Sequence, residues 1–346
     1  MRLPFISSLL GVLIWLCALP AQAYEIEGKI RLGANEPNRV LNIISTADRE
    51  LFTPLLLSFL TSRPSIAIEY VTVSSTQLMQ AIYTERATFD VAISSAMDLQ
   101  TKLANDGFTR SHESTICQSI PAWARWRNHV YTFTQEPAAI VYSPDALKGL
   151  EIPETRQQLI DLLRNNQQQL HGKVGTYDIR TSGLGYLFAT HDARFSDIYW
   201  RLSEVMGSLG AQLYCCSGKM IEDIENGKLA IAYNVLGSYA QARRDQGAKI
   251  EIVEPADFTT VMLRSAVIPD NANQAELAGE FIDHLLSASW QQSADTPYPF
   301  PEIKRNLDGA RNAYQPIRLG PGLLVYLDDF KRRHFLREWE NSMIQE

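Results

Sequence analysis

Apolar positions along the chain switch repeatedly between near-continuous runs and helical spacing. Val40 to Ser45 (VLNIIS) predicts a buried strand. Asp48 to Leu60 presents Phe52, Leu55, Leu56 and Leu60 on one helical face, and Ile66 to Val73 predicts the next strand. Ser75 predicts the cap of a second helix with the stripe Leu78, Met79 and Ile82, and Phe89 to Ile93 predicts a third strand ending in Ser94-Ser95. Strand, helix, strand, helix, strand with short connections implies a parallel, doubly wound sheet, whose ligand crevice lies beyond the carboxyl ends of the strands.

The alternation then starts again. Residues 97 to 135 are less regular and hold the cluster WARWRN, whose Arg125 and Arg127 are candidate clamps for an anion. Ala138 to Tyr142 is an apolar strand that predicts a crossover, and Pro153 to Asn165 predicts a helix. Gly172 to Tyr186 (GKVGTYDIRTSGLGY) predicts a strand, a loop and a helix that runs to Thr190, with His191-Asp192 after it and a further helix from Ser196 to about Leu209. Gln212 to Cys216 and Leu229 to Val235 predict strands, with a helix carrying Met220, Ile221 and Ile224 between them. Thr260 to Ile268 predicts one strand crossing back, and Gln274 to Ser289 and Leu323 to Met343 predict helices that complete the first lobe. Asp295 to Pro301 predicts an irregular connection. The fold class expected is α/β in two lobes, each a doubly wound mixed sheet. Residues 24–140 with 262–346 form the first lobe and 141–261 the second, joined by crossover strands.

The amino terminus changes the compartment. Arg2, the apolar run Leu9 to Leu19, Pro20 and the small-x-small triplet Ala21-Gln22-Ala23 predict a cleavable signal peptide over residues 1–23, so the mature chain starts at Tyr24 in the periplasm. Cys17 lacks the small residues of a lipid-attachment site before it, and no later run approaches the roughly 18 apolar residues of a spanning helix. The chain carries 39 acidic residues against 32 basic ones, of which Arg2 leaves with the signal. That balance argues against nucleic acid or an anionic membrane as partner. Cys117, Cys215 and Cys216 are too few for a disulfide scaffold. A bridge from Cys117 to one of the vicinal pair is conceivable in an exported chain, and adjacent cysteines on a strand lack the spacing of a zinc site.

The candidate chemistry is a set of small polar loops at strand ends. Ser45-Thr46, Ser94-Ser95 and Thr181-Ser182-Gly183 each follow a strand and precede a helix. Their hydroxyls and free helix N-terminal N–H groups suit an oxyanion, with Gly183 leaving out a Cβ that would block its approach. Ser217-Gly218 and Gly237-Ser238 repeat the pattern, and His191 and Asp192 are candidates for hydrogen bonds to ligand hydroxyls. Helix capping is the competing role for every one of these hydroxyls.

The signal, the two βα lobes, the crossover EPAAIVYS and the stretch ENGKLAIAYNVLGSYA resemble the type II periplasmic solute-binding proteins of ABC transporters. Within them the chain is most similar to the branch of ferric-ion receptors and their sugar-phosphate, phosphoglycerate and phosphonate relatives. The resemblance implies a monomeric receptor without cofactor. It would close on its solute and present the closed form to an ABC permease or, in some relatives, to a membrane histidine kinase. In the ferric receptors two adjacent tyrosines ligate the metal. Here Gly237-Ser238 stands in that place and Tyr233 and Tyr239 flank it without being adjacent, which favours a phosphate- or carboxylate-bearing solute over iron. An enzyme is disfavoured. No G-x-S-x-G, P-loop or H-E-x-x-H occurs, and the neighbours His191 and Asp192 cannot form a relay by adjacency.

Overall fold

A computed structural model describes residues 24–292, 296–303 and 313–345; the expected signal peptide lies outside them. Two sheets organise these residues. The first runs, strand to strand, Gly28–Gly33, Ile66–Thr72, Arg39–Ser45, Val91–Ser94, Ser265–Pro269, Val130–Thr132 and Arg125–Trp126, with Thr109–Arg110 paired to the side. The second runs Gln212–Tyr214, Val174–Tyr177, Ile231–Leu236, Glu136–Tyr142, Thr259–Met262 and Tyr314–Pro316, with Glu251–Val253 on the crossover strand.

Both sheets are wound the same way. Arg39–Ser45 lies parallel between Ile66–Thr72 and Val91–Ser94. Val174–Tyr177 lies parallel between Gln212–Tyr214 and Ile231–Leu236. In each sheet the strand order therefore reverses beside the first of the three, and a crevice opens there at the carboxyl ends. Each third parallel strand then meets an antiparallel partner that belongs to a crossing: Ser265–Pro269 in the first sheet and Glu136–Tyr142 in the second.

The expected strands and the first helix form where the apolar pattern put them, within two residues at each end. Three expectations need correction, and several short or edge strands go beyond those expected. The edge strand Gly28–Gly33, whose pattern is half-exposed and weakly apolar, pairs antiparallel with Ile66–Thr72. The cap of the Ser75–Met79 helix is Ser74, whose Oγ accepts the Gln77 N–H at 3.3 Å. Thr260 to Ile268 is two strands, because Leu263 and Arg264 leave the ladder: the Leu263 N–H points at Met97 Sδ and the Arg264 N–H at Thr134 Oγ1. Finally, the long carboxyl-terminal segment is a 3₁₀ turn, Pro321–Leu327, followed by the helix Asp329–Met343. That helix packs on Ile198–Ser208 of the second lobe, not on the first. Phe335 stacks on Tyr199 and packs at a tilt against Trp200 there, and the Tyr186 hydroxyl donates to the Tyr326 carbonyl at 2.6 Å. Periodicity reports that a helix has an apolar face but not which sheet covers it.

Trp339 is buried on that face and touches the same core as Met206 and Tyr199. Trp339→Ala is expected to cost about 3–5 kcal/mol by the cavity it leaves. Urea denaturation followed by circular dichroism checks this. A loss below about 1 kcal/mol would mean that the terminal helix is a dispensable appendage.

Candidate functional site

The carboxyl ends of both parallel trios face each other across a cavity of about 90 Å³. The first lobe contributes Thr46 and Ser95 from its switch point, Ser74 and Ser75 from the next loop, and the carboxyls of Glu27 and Asp48. Tyr177, Ser182, Cys215, Cys216, Ser217, Gly218 and Tyr239 come from the second. Arg264 closes the floor from the crossing. Two larger depressions, of about 280 and 330 Å³, lie elsewhere: one behind the crossing around Gln135 and Tyr314, one beside His191 and Arg318. Neither gathers the strand ends of both lobes, so we assign the site to the smaller cavity.

Hydrogen bonds order its walls. Thr46 Oγ1 accepts the Ser95 N–H at 3.1 Å, and the two hydroxyl oxygens stand 3.4 Å apart. The Tyr177 and Ser217 hydroxyls share a bond of 2.6 Å, and Ser217 Oγ also accepts the Leu236 N–H. The lobes touch directly: the Gly183 N–H donates to Ser75 Oγ at 2.9 Å, Thr76 Oγ1 to the Thr181 carbonyl, and the Asp48 N–H to the Tyr239 hydroxyl. A solute pocket usually holds ~300–1,000 Å³. At about 90 Å³ this cleft is closed down, so a solute of sugar-phosphate size enters only with the lobes further apart.

Arg264 dominates the charge. Its Nε and Nη2 reach the Glu136 carboxylate at 3.0 and 3.3 Å, both side chains are buried, and its Nη1 is buried with no hydrogen-bond partner among the described residues. Burial disfavours its charge, but the Glu136 carboxylate together with the Tyr239 and Tyr70 phenols more than offsets this, so it stays protonated at any physiological pH. Burial raises the Glu27 carboxyl above its ordinary range, and nearby Asp48 adds to the effect. Burial also raises Asp48, while Arg264 pulls the other way.

Of the residues singled out in the sequence, Thr46, Ser95, Ser182, Ser217 and Gly218 line this cavity. Ser45 and Ser94 turn into their own loops, where their Oγ atoms accept the Ala47 and Ala96 N–H groups. Thr181 is exposed at the lobe contact, and the space beside Gly183 belongs to Ser75, whose Oγ would lie 2.6 Å from a Cβ added there. The missing Cβ lets the lobes meet. Ser238 donates to Glu136 from a buried position. His191 and Asp192 are not in a loop but inside the helix Gly183–Phe195, and Tyr233 and Asp192 belong to a buried polar knot. Tyr233 OH donates to Asp192 Oδ2 at 3.0 Å and accepts from Arg156 Nε at 2.6 Å; Asn234 and Thr260 donate to the same carboxylate. His191 stands beside Thr260, facing the outer depression. Arg125 bonds to Asn128, and Arg127 stacks on Trp126, outside the cleft. Cys117 is buried against Asp283 in the first lobe, whereas Cys215 and Cys216 lie past the end of a strand in the cleft; all three are free. Sequence reading missed Glu27, Asp48, Ser75 and Arg264 as cleft residues. Only Arg264 left a signal, as a lone cation inside the apolar run TVMLRSAVI.

The bacterial extracellular solute-binding protein family matches residues 41–294, and the chain belongs to it. The architecture is that of the type II periplasmic solute-binding proteins of ABC transporters. The substrate-binding protein of an ABC transporter from Agrobacterium tumefaciens is 31% identical over 91% of this chain and 98% of its own, with a TM-score of 0.83. AfuA of Actinobacillus pleuropneumoniae, solved with fructose-6-phosphate bound, is 17% identical over 89% of this chain and all of its own, with a TM-score of 0.71. Iron-bound HitA of Pseudomonas aeruginosa is 15% identical over 88% of this chain and 99% of its own, with a TM-score of 0.64. The "Probable ABC transporter periplasmic-binding protein y4fP" of Sinorhizobium fredii is 22% identical over 60% of this chain, a match that spans 56% of the relative's length.

The polar knot has its own consequence. Burial alone would raise Asp192, yet the Arg156 charge and its hydrogen-bond donors bring it down to about 2. The stability it contributes is complete above the unfolded carboxyl range and is lost only as pH falls through about 2. Asp192→Ala leaves Arg156 buried without that carboxylate and is expected to cost about 3–5 kcal/mol at any pH from about 5 to 8. Urea titrations across that range check it. A deficit that vanished at the acidic end would contradict the low value.

Proposed function

We propose that this chain is a periplasmic receptor of an ABC importer. It captures a small organic solute bearing a phosphate, phosphonate or carboxylate between its lobes and delivers it to the inner-membrane permease. One observation carries the reading: Arg264, a buried and charged guanidinium that lines the cavity, has no hydrogen-bond partner for its Nη1 among the described residues, and a buried donor of that kind calls for an acceptor. The hydroxyls of Thr46, Ser75, Ser95 and Ser182 stand around the same cavity and suit the remaining oxygens of such a group. AfuA, with its bound sugar phosphate, supports the same class. Iron is less well served here, because the phenols of the cleft, Tyr177 and Tyr239, are raised by burial and held in hydrogen bonds.

Glu27 and Asp48 make the reading testable by sign. An anion bound beside them raises both carboxyls further, so binding takes up protons and tightens as pH falls from neutral toward the carboxyl range. A cationic solute would do the reverse. Calorimetry of fructose-6-phosphate, phosphoglycerates, phosphonates and di- and tricarboxylates at several pH values decides between them. Binding that weakened toward acid, or a visible charge-transfer band with ferric citrate and no oxyanion binding, would sink the proposal.

Ser95→Ala removes one hydroxyl from the wall without touching the Ser95 N–H bond to Thr46. It is expected to weaken the best oxyanion ligand about 10–100-fold, the value of one hydrogen bond to a charged group. The urea midpoint should stay put. Unchanged affinity would remove Ser95 from the site.

A further inference from the structure

Cys215 and Cys216 sit where the strand Gln212–Tyr214 gives way to the helix Ser217–Glu225, and both line the cleft. Their Sγ atoms stand 2.7 Å apart, and both residues are exposed. The buried Cys117 has neither property. We propose that this vicinal pair is a redox modification site, which a disulfide oxidant closes to a Cys215–Cys216 disulfide within the cleft wall. The pair stands on its own geometry and does not depend on the chemistry of the solute.

The electrons and protons balance by exchange. The Cys215 thiolate attacks one sulfur of the oxidant's disulfide, forms a mixed disulfide and expels one thiolate. Cys216 then attacks the Cys215 sulfur, expels the second thiolate and gives up its proton to it. Two cysteine thiols become one disulfide, and the oxidant's disulfide becomes two thiols. Electrostatics assign the roles in that order. The hydrogen bond from Cys216 brings the Cys215 thiol down to about 7, while the same bond pushes Cys216 up. Cys215 is thus the attacking sulfur and Cys216 the resolving one.

Adjacent residues have Cα atoms about 3.8 Å apart, shorter than the usual ~4.4–6.8 Å span of a disulfide, so the ring is strained and readily reduced. That suits a reversible mark in an oxidising compartment better than a permanent staple. Closure removes the Cys215 charge and draws in the backbone beside Ser217 and Gly218, which face Asp48 of the opposite lobe across the cleft.

The test treats the purified protein with oxidised glutathione near neutral pH and reads the peptide carrying both cysteines by mass spectrometry. The parent should lose two hydrogens from this peptide, retain no glutathione, and recover both thiols with dithiothreitol. Cys216→Ser should stop at a stable glutathione adduct on Cys215. Cys215→Ser should leave Cys216 slower to react than Cys215 in the parent. A parent peptide that stays reduced, or that carries two glutathiones, overturns the proposal. So does a Cys215→Ser variant that reacts as fast as the parent.

Discussion

The buried ion pair between Arg264 and Glu136 is the constraint on which the two-lobed arrangement depends. Glu136 begins the outgoing crossover strand, and Arg264 occupies the break in the returning one. The pair therefore joins the two chain crossings side by side. Taking both charges out of water costs several kcal/mol that their attraction only partly returns, so apolar residues would give a hinge at least as stable. What the pair supplies is position. Thr134 and Ser238 complete the carboxylate's hydrogen bonds, and the guanidinium keeps one nitrogen without a partner among the described residues.

The repetition of one winding rule in two sheets explains why the cleft is built from hydroxyls and helix starts and not from large side chains. A doubly wound sheet opens its crevice beside the strand where the order reverses. The chain does this once at Arg39–Ser45 and once at Val174–Tyr177, and the crossings turn the openings toward each other. Whatever residues follow those strands become cleft residues. Thr46, Ser95 and Ser217 owe their place to topology alone.

Charge in the cleft is mixed. The single buried cation is matched by Glu136, and Glu27 and Asp48 add negative charge at the rim. An oxyanion, the solute class we propose, would be confined to the neighbourhood of Arg264. On that proposal the acidic rim would impose a pH dependence on its capture.

The sequence by itself determined the central strands of both sheets, most helices and the class of fold, because a buried strand and an amphipathic helix write their period directly into the apolar pattern, whereas the short and edge strands carry too few apolar positions to do so. It also placed Thr46, Ser95, Ser182, Ser217 and Gly218 at strand ends, and these line the cavity. It could not separate Ser95 from Ser94. The Ser94 hydroxyl closes the local turn while Ser95 lines the cleft, and that choice belongs to backbone geometry. Tertiary structure alone decided the rest. His191 and Asp192 read as a polar loop until a helix carried Asp192 into contact with Arg156, Tyr233 and Thr260, partners far away in sequence. Arg264 met Glu136, Gly183 met Ser75, and the final helix chose the second lobe, because each contact joins segments that only the crossings bring together.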